Sequence, residues 1–227
     1  MPKKSFYGES AGFGDFVQLL FFKDEDFDLL KKHQDIKRIQ LWVESQCLEN
    51  LDFLLECTHL EDLAIYGGRI GDYSALGKLP NLKHLFLNGR LRLWLLDFDF
   101  LCDLLAIEQI YIRSYPMPTC FPNLQKSEKL INLTLDNCKR LEDISNISSI
   151  PNLQGFTILN KSQNIEDLEF IAKKPGMKVM AGQFGTERKN KAFHFMIKKH
   201  GLHNGHIGKN GSIQHNKCEQ FYADLVK

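Results

Sequence analysis

Apolar residues recur along this chain in triplets spaced L-x-x-L-x-L. The triplets open at Phe16, Ile36, Leu60, Leu82, Ile107, Leu130, Leu153 and Met177, at intervals of 20, 24, 22, 25, 23, 23 and 24 residues. The last two members of each triplet flank one residue of either character, which is the period of a strand that buries a single face. A repeat of about 20 to 29 residues is one supersecondary unit, able to bury its apolar side only against its neighbours. The pattern therefore predicts a solenoid with one strand per unit.

Two further registers accompany the triplets. Six residues before each triplet from the second onward stand Leu30, Leu54, Leu76, Leu101, Leu124, Ile147 and Ile171. Three residues earlier come Phe27, Leu51, Tyr73, Phe98, Phe121, Ile144 and Leu168, preceded by Asp26, Asn50, Asp72, Asp97, Cys120, Asp143 and Asp167. An Asp or Asn ahead of apolar residues spaced three apart suits a short helical turn, because its side-chain oxygen accepts a backbone N–H that has no partner inside the turn. Each unit reads as strand, loop and capped helical turn.

These registers meet in "RLEDISNISSIPNL" (Arg140 to Leu153) and "DYSALGKLPNL" (Asp72 to Leu82). Over residues 13 to 182 the chain resembles the short leucine-rich repeats of bacterial internalin-like proteins. The resemblance implies an α/β fold, a leucine-rich-repeat solenoid in the form of a right-handed β-α superhelix. Parallel strands would line its concave face and short helical turns its convex face. The family places Asn or Cys three residues past the triplet, and here only Cys138 fits; Glu44, Gly68, Arg90, Tyr115 and Lys161 stand at the other positions. Irregular turns are expected there, with a bulge at the inserted "RLRLWLL" (Arg90 to Leu96).

An array of this kind must be closed at its ends. At the C-terminal end, "TERKNKAFHFMIKKHGL" (Thr186 to Leu202) predicts a helix, with Thr186 as its cap and Ala192, Phe193, Met196 and Ile197 on its apolar face. The expected organisation is a repeat array with its N-terminal cap over residues 1–182, then a capping helix and a basic, His-rich tail over 183–227.

In a leucine-rich solenoid, the residues that alternate with the inward triplet point out of the concave face. Phe22, Trp42, Tyr66, Phe86 and Tyr111 would form an aromatic stripe there, flanked by Arg38, Asp62, His84 and Arg113. Rigid rings edged by Arg are the composition of an interface hot spot. Aromatic side chains also pack as cross-strand neighbours, so binding and packing both remain open at this point. The later strands carry a smaller, more polar set, Asn132, Thr134, Asp136, Gly155 and Thr157.

Composition adds three points. Residues 185–227 hold eight Lys/Arg against three Asp/Glu, leaving 21 against 25 elsewhere, so a mildly acidic array ends in a basic tail. The lysines Lys189, Lys191, Lys198 and Lys199 read as the solvated face of the capping helix, ahead of a nucleic-acid contact. Six cysteines without paired spacing read as buried reduced thiols, which behave as small apolar groups. No signal segment or membrane span is read from the sequence, so the sequons at Asn132, Asn146 and Asn160 count as coincidence and the expected location is cytoplasmic.

The one candidate for chemistry is the C-terminal segment, where His194, His200, His203, His206 and His215 lie with Cys218. Zinc needs three or four converging ligands on defined structure, and "HGLHNGHIGKNG" with its four glycines implies no such geometry. "GHIGKNGS" lacks the order of a phosphate-binding loop, since Asn210 follows Lys209. No cofactor, metal or catalytic residue is assigned. The expected function is non-enzymatic protein–protein interaction on the concave face, with an inhibitor or toxin-immunity protein as the narrower form. The alternative is a metal-dependent enzyme or metal-binding module built on the His-rich segment.

Overall fold

The structure is a computed structural model that describes residues 6–10, 13–20, 30, 35–43, 47–89, 97–115, 118–159, 163–208 and 212–215, with 6–10, 13–20 and 214–215 as backbone only. One sheet of eleven strands dominates it. In spatial order these are β1 (Phe6–Ser10), β2 (Phe13–Leu20), β3 (Arg38–Trp42), β5 (Asp62–Tyr66), β7 (His84–Asn88), β8 (Gln109–Arg113), β9 (Asn132–Asp136), β10 (Gly155–Leu159), β11 (Val179–Gly182), β12 (His203–Ile207) and β13 (Ile213–His215). Two short strands, β4 (Cys47–Leu48) and β6 (Arg69–Ile70), pair separately. From β2 to β11 every neighbour is parallel, and equivalent residues of successive repeats sit opposite one another: Ile39, Leu63, Leu85, Ile110, Leu133, Phe156 and Met180 form one continuous row.

Burial follows the repeat. All eighteen triplet residues of the second to seventh copies are at most 2% exposed, and the preceding apolar registers from Leu30 to Ile171 join them in a single core. Each buried Leu or Ile contributes about 1.5–3 kcal/mol before chain entropy is set against it. The helical turns are 3-10, at Asp52–Glu56, Ser74–Lys78, Asp99–Asp103 and Ser145–Ser149. Asn50, Asp72, Asp97 and Asp143 each accept the N–H two residues on, at 2.7 to 3.1 Å, closing a turn one residue ahead of the N-caps Leu51, Tyr73, Phe98 and Ile144, whereas Asp167, expected in the same role, lies inside the 3-10 turn Glu166–Leu168, whose N-cap is Ile165. In the repeat with Cys120, Asn123 takes that role by accepting from the Gln125 N–H at 3.0 Å. The "PNL" signature also acquires a reason: Asn81 and Asn152 donate to the carbonyls of Thr58 and Glu128 in the preceding repeat, at 2.9 and 2.8 Å.

The first copy sits differently from its sequence reading. Val17 pairs with Ile39 and Leu19 with Leu41, so the repeat opens at Gly14, two residues before Phe16. A shift of two leaves the same side of the strand inward, so alternation alone cannot detect it; the hydrogen-bond ladder decides. The shift also removes the shortest interval from the series. The eighth copy departs too, because its third position is Gly182. A side chain there would run into the Phe184 ring, 2.5 Å from where a Cβ would stand. Phe184 supplies the missing apolar group and packs on Phe193, ring centres 5.1 Å apart.

Turns past the strands are irregular in an informative way. Cys138 is buried, and its Sγ lies 3.6 and 3.8 Å from the carbonyls of Asp136 and Ile112. Tyr115 fills the equivalent place with a ring set edge-on to Phe98. Gly68 has φ +83°, and a Cβ there would stand 2.2 Å from Val43, so two backbones approach at a point that admits no side chain. Glu44, Arg90, Lys161 and the insertion 90–96 lie outside the described residues. Cys57 and Cys138 are buried, with thiols pushed up by burial to about 11 and about 12. Cys47 and Cys120 are exposed, contrary to the expectation of buried thiols, and Cys218 is not among the described residues.

At the C-terminal end, α1 (Glu169–Ala172) precedes β11 and α2 (Glu187–Lys199) follows it. Thr186 accepts from the Lys189 N–H, and Phe193, Met196 and Ile197 bury against the last layer, while Ala192, expected on that face, is exposed. Glu169 joins the two helices by binding Lys199 at 2.9 Å and His200 at 3.2 Å. The helix is not the end of the sheet. Beyond it, β12 pairs in parallel with β11 through His203 and Asn204 alone, then pairs through Gly205–Ile207 with antiparallel β13. Among the described residues, no helix is long and apolar enough to cross a membrane.

Leu133→Ala, in the middle of the buried row, is expected to lower stability by about 2–5 kcal/mol. Chemical denaturation read by circular dichroism checks it, and both halves of the array should melt earlier. The Glu169 carboxyl is lowered from 4.5 to about 2, chiefly by hydrogen bonds from Lys199, His200 and Lys173. A depressed acid stabilises above its unfolded value and loses that contribution as pH falls through the folded one. Melting temperatures should therefore fall between about pH 4.5 and about pH 2, and Glu169→Gln should flatten that part of the curve.

Candidate partner-binding face

The outward positions of the parallel strands form three rows across the concave face. Trp42 and Tyr66 pair in the third row, and Phe86 and Tyr111 in the middle row. Because the rings step diagonally from one row to the other, the four make one ladder. Trp42 stacks on Tyr66 at 4.1 Å and 6°, Tyr66 meets Phe86 at 5.3 Å and 50°, and Phe86 stacks on Tyr111 at 4.8 Å and 18°. Such pairs contribute about 0.5–1.5 kcal/mol beyond the area they bury. Tyr66 and Tyr111 are buried, at 7% and 4%, yet neither belongs to the core cluster; Trp42 and Phe86 remain partly exposed. The ladder thus packs within itself and also presents surface. The expected fifth ring, Phe22, lies outside the described residues, and the register places Leu20 opposite Trp42.

Charges flank the rings in fixed pairs. Arg38, Asp62 and His84 stand side by side in the first row. Arg38 Nε lies 2.9 Å from Asp62 Oδ2, and His84 Nδ1 bonds Asp62 Oδ1. With Nδ1–H directed at the carboxylate, His84 Nε2 is left aimed elsewhere; it and Trp42 Nε1 are buried and make no hydrogen bond among the described residues. At the other end of the ladder, Tyr111 donates to Asp136 Oδ2 at 2.8 Å, and Arg113 Nε approaches the same oxygen at 3.2 Å. All of Arg38, Trp42, Asp62, Tyr66, His84, Phe86, Tyr111 and Arg113 are therefore brought together on one surface four strands wide.

The C-terminal half of this face is different, and sequence reading missed why. Asn132, Thr134, Asp136 and Thr157 are buried, as are Val179 and Ala181, and none of them belongs to the core. Ile207, also buried outside the core, lies over Gly155: a Cβ at Gly155 would stand 2.9 Å from Ile207 Cγ1 and 2.4 Å from Asn132 Oδ1. Gln109, four strands away from β12 in the sheet order, donates to the carbonyl of Gly208 at 3.2 Å. After leaving β11 the chain curls over its own concave face, and the small residues in β9 and β10 make room for it. The only hint in the sequence was that reduction in size. Asn132 Oδ1 and Thr157 Oγ1 are buried without a hydrogen bond among the described residues. Leaving such a group unsatisfied costs about 1–3 kcal/mol, as much as burying Ile207 returns at about 1.5–3 kcal/mol.

The histidines of the C-terminal segment go separate ways. His200 binds Glu169, His194 Nε2 lies 3.3 Å from Asn204 Nδ2, His203 is exposed on β12, and His206 is buried two residues after Asn204. His215 belongs to β13, and Cys218 is outside the described residues. Among the described residues, no three His, Cys, Asp or Glu side chains converge as metal ligands. Of the basic flank, Lys189 donates to the Gln163 carbonyl, Lys191 pairs with Glu187 and Lys199 with Glu169.

No family model and no curated protein matches the sequence. Solved structures do. An internalin from Listeria monocytogenes aligns with 67% of the chain and 44% of its own length at a TM-score of 0.52 and 20% identity. A leucine-rich-repeat protein of Leptospira interrogans aligns with 79% of the chain and 50% of its own length at 0.50 and 12% identity. The chain folds as a leucine-rich-repeat solenoid. It spans about half the length of these structures, and at such identities the likeness concerns the fold. On the leucine-rich-repeat frame, the rows described above are the outward positions of the concave sheet.

Elemental analysis of the purified protein is expected to find no stoichiometric zinc. Zinc at one equivalent, lost on changing His203 and His206 to Ala, would reverse that expectation.

Proposed function

We propose that this chain is a non-enzymatic binding module whose concave face docks a partner protein on the ladder Trp42–Tyr66–Phe86–Tyr111. The observation that carries the reading is a continuous run of stacked rings outside the core, partly exposed at Trp42 and Phe86 and edged by charges already paired with one another. A core has no need of a second aromatic cluster on its solvent side. Aromatic rings in contact with one another and with Arg are what binding hot spots are made of.

Rings held by stacking and charges held by cross-strand pairing lose little freedom when a partner arrives, and low ordering cost favours tight association. That property suits a cytoplasmic inhibitor, of which a toxin-immunity protein is one form, and this is the narrower function we assign.

Affinity capture from the native host, followed by titration of the recovered partner, tests the proposal. Trp42→Ala and Tyr66→Ala are each expected to weaken binding by about 2 kcal/mol or more. Unchanged affinity in both variants, with circular dichroism matching the parent protein, would remove the ladder from the site.

A further inference from the structure

We propose that the partner meets the ladder with an acidic segment, its carboxylates set on Arg38 and Arg113 and against the edges of the rings between them. This rests on the reading of the concave face as the docking surface and adds the chemistry of what docks there.

The first observation is how the rings stand. Adjacent strands of a sheet lie about 4.8 Å apart. Trp42 and Tyr66 are cross-strand neighbours, as are Phe86 and Tyr111, with ring centres 4.1 and 4.8 Å apart at 6° and 18°. Rings stacked over that spacing have their planes upright on the sheet, so faces close on one another and edges point away from the strands. An aromatic ring is electronegative on its face and electropositive at its edge. Trp42 and Phe86, the partly exposed members, each have a face shut against a tyrosine and turn the positive rim outward. A partner's Lys or Arg, which seeks ring faces, finds those closed. A carboxylate finds the edges.

The second observation is the order of burial within the ion pairs. At one end of the ladder the Arg38 side chain is 31% exposed and that of Asp62 16%; at the other, Arg113 is 39% exposed and Asp136 9%. In both pairs the cation is the outer member. His84 and Tyr111 hold the two acids from within the face. A partner thus meets guanidinium before it meets carboxylate, and each guanidinium is already positioned by its Nε contact at 2.9 or 3.2 Å. Guanidinium and carboxylate match each other in shape as well as charge. Outside residues 185–227 the chain holds 21 Lys/Arg against 25 Asp/Glu, so this preference is local to the face and is not supplied by net charge. Complementarity of this kind decides which partner is accepted more than how tightly it is held.

Random peptides displayed on phage, selected on the immobilised full-length chain and depleted on the Trp42→Ala variant, give sequences that depend on the ladder. Asp and Glu should outnumber Lys and Arg among them. A synthetic copy of the most enriched sequence should bind Arg38→Gln and Arg113→Gln each about tenfold more weakly than the parent, and Arg113→Lys within about threefold of it, because lysine keeps the charge. Raising salt from about 0.05 M to about 0.5 M should weaken the same peptide about tenfold on the parent chain, a measurement that needs no variant to fold. Ladder-dependent peptides in which Lys and Arg equal or outnumber Asp and Glu, or acidic ones indifferent to both substitutions and to salt, would overturn this inference and leave the docking face standing. A selection that gives no ladder-dependent peptide would overturn both.

Discussion

The parallel hydrogen-bond register between successive strands is the constraint on which the rest of this structure depends. A single repeat has too little apolar surface to fold, and only stacking in register seals its inward triplet against the next. Once Ile39 stands opposite Leu63 and Leu63 opposite Leu85, every other relation between repeats is set. Asn81 reaches Thr58, and Arg38, Asp62 and His84 fall into line. Residues some 22 to 25 positions apart become neighbours, and the surface is written in the period of the core.

The same register makes the concave face a place where side chains accumulate without belonging to the interior. On the N-terminal half this yields rings that stack across strands and carboxylates gripped from two sides. On the C-terminal half the outward residues shrink, and the chain's own last strands lie over them. The face is thus divided by residue size. Large groups stand where the surface is free of the strand pair, and small ones where Ile207 descends.

Closure at the C-terminal end combines two devices. Phe184 replaces the third apolar residue of the eighth repeat, and α2 lays Phe193, Met196 and Ile197 over the last layer. Glu169 then clamps that helix to α1 through Lys199 and His200, so these two basic residues of the C-terminal segment are taken up by the fold.

Much of this was determined by the sequence alone. The triplet period set the architecture, the Asp and Asn positions set the turns, and alternation placed Trp42, Tyr66, Phe86 and Tyr111 outward, because each of these is local in the chain or repeats with it. Three features were decided only by tertiary structure. The opening of the first repeat at Gly14 depended on a shift of two that alternation cannot see. Gly182 made sense only with Phe184 in its place. The fold-back of Ile207 onto Gly155 joins segments about fifty residues apart through shape, and Gln109 meets Gly208 across a still longer stretch. Neither contact recurs, so no period could announce it, and three-dimensional packing had to bring the partners together.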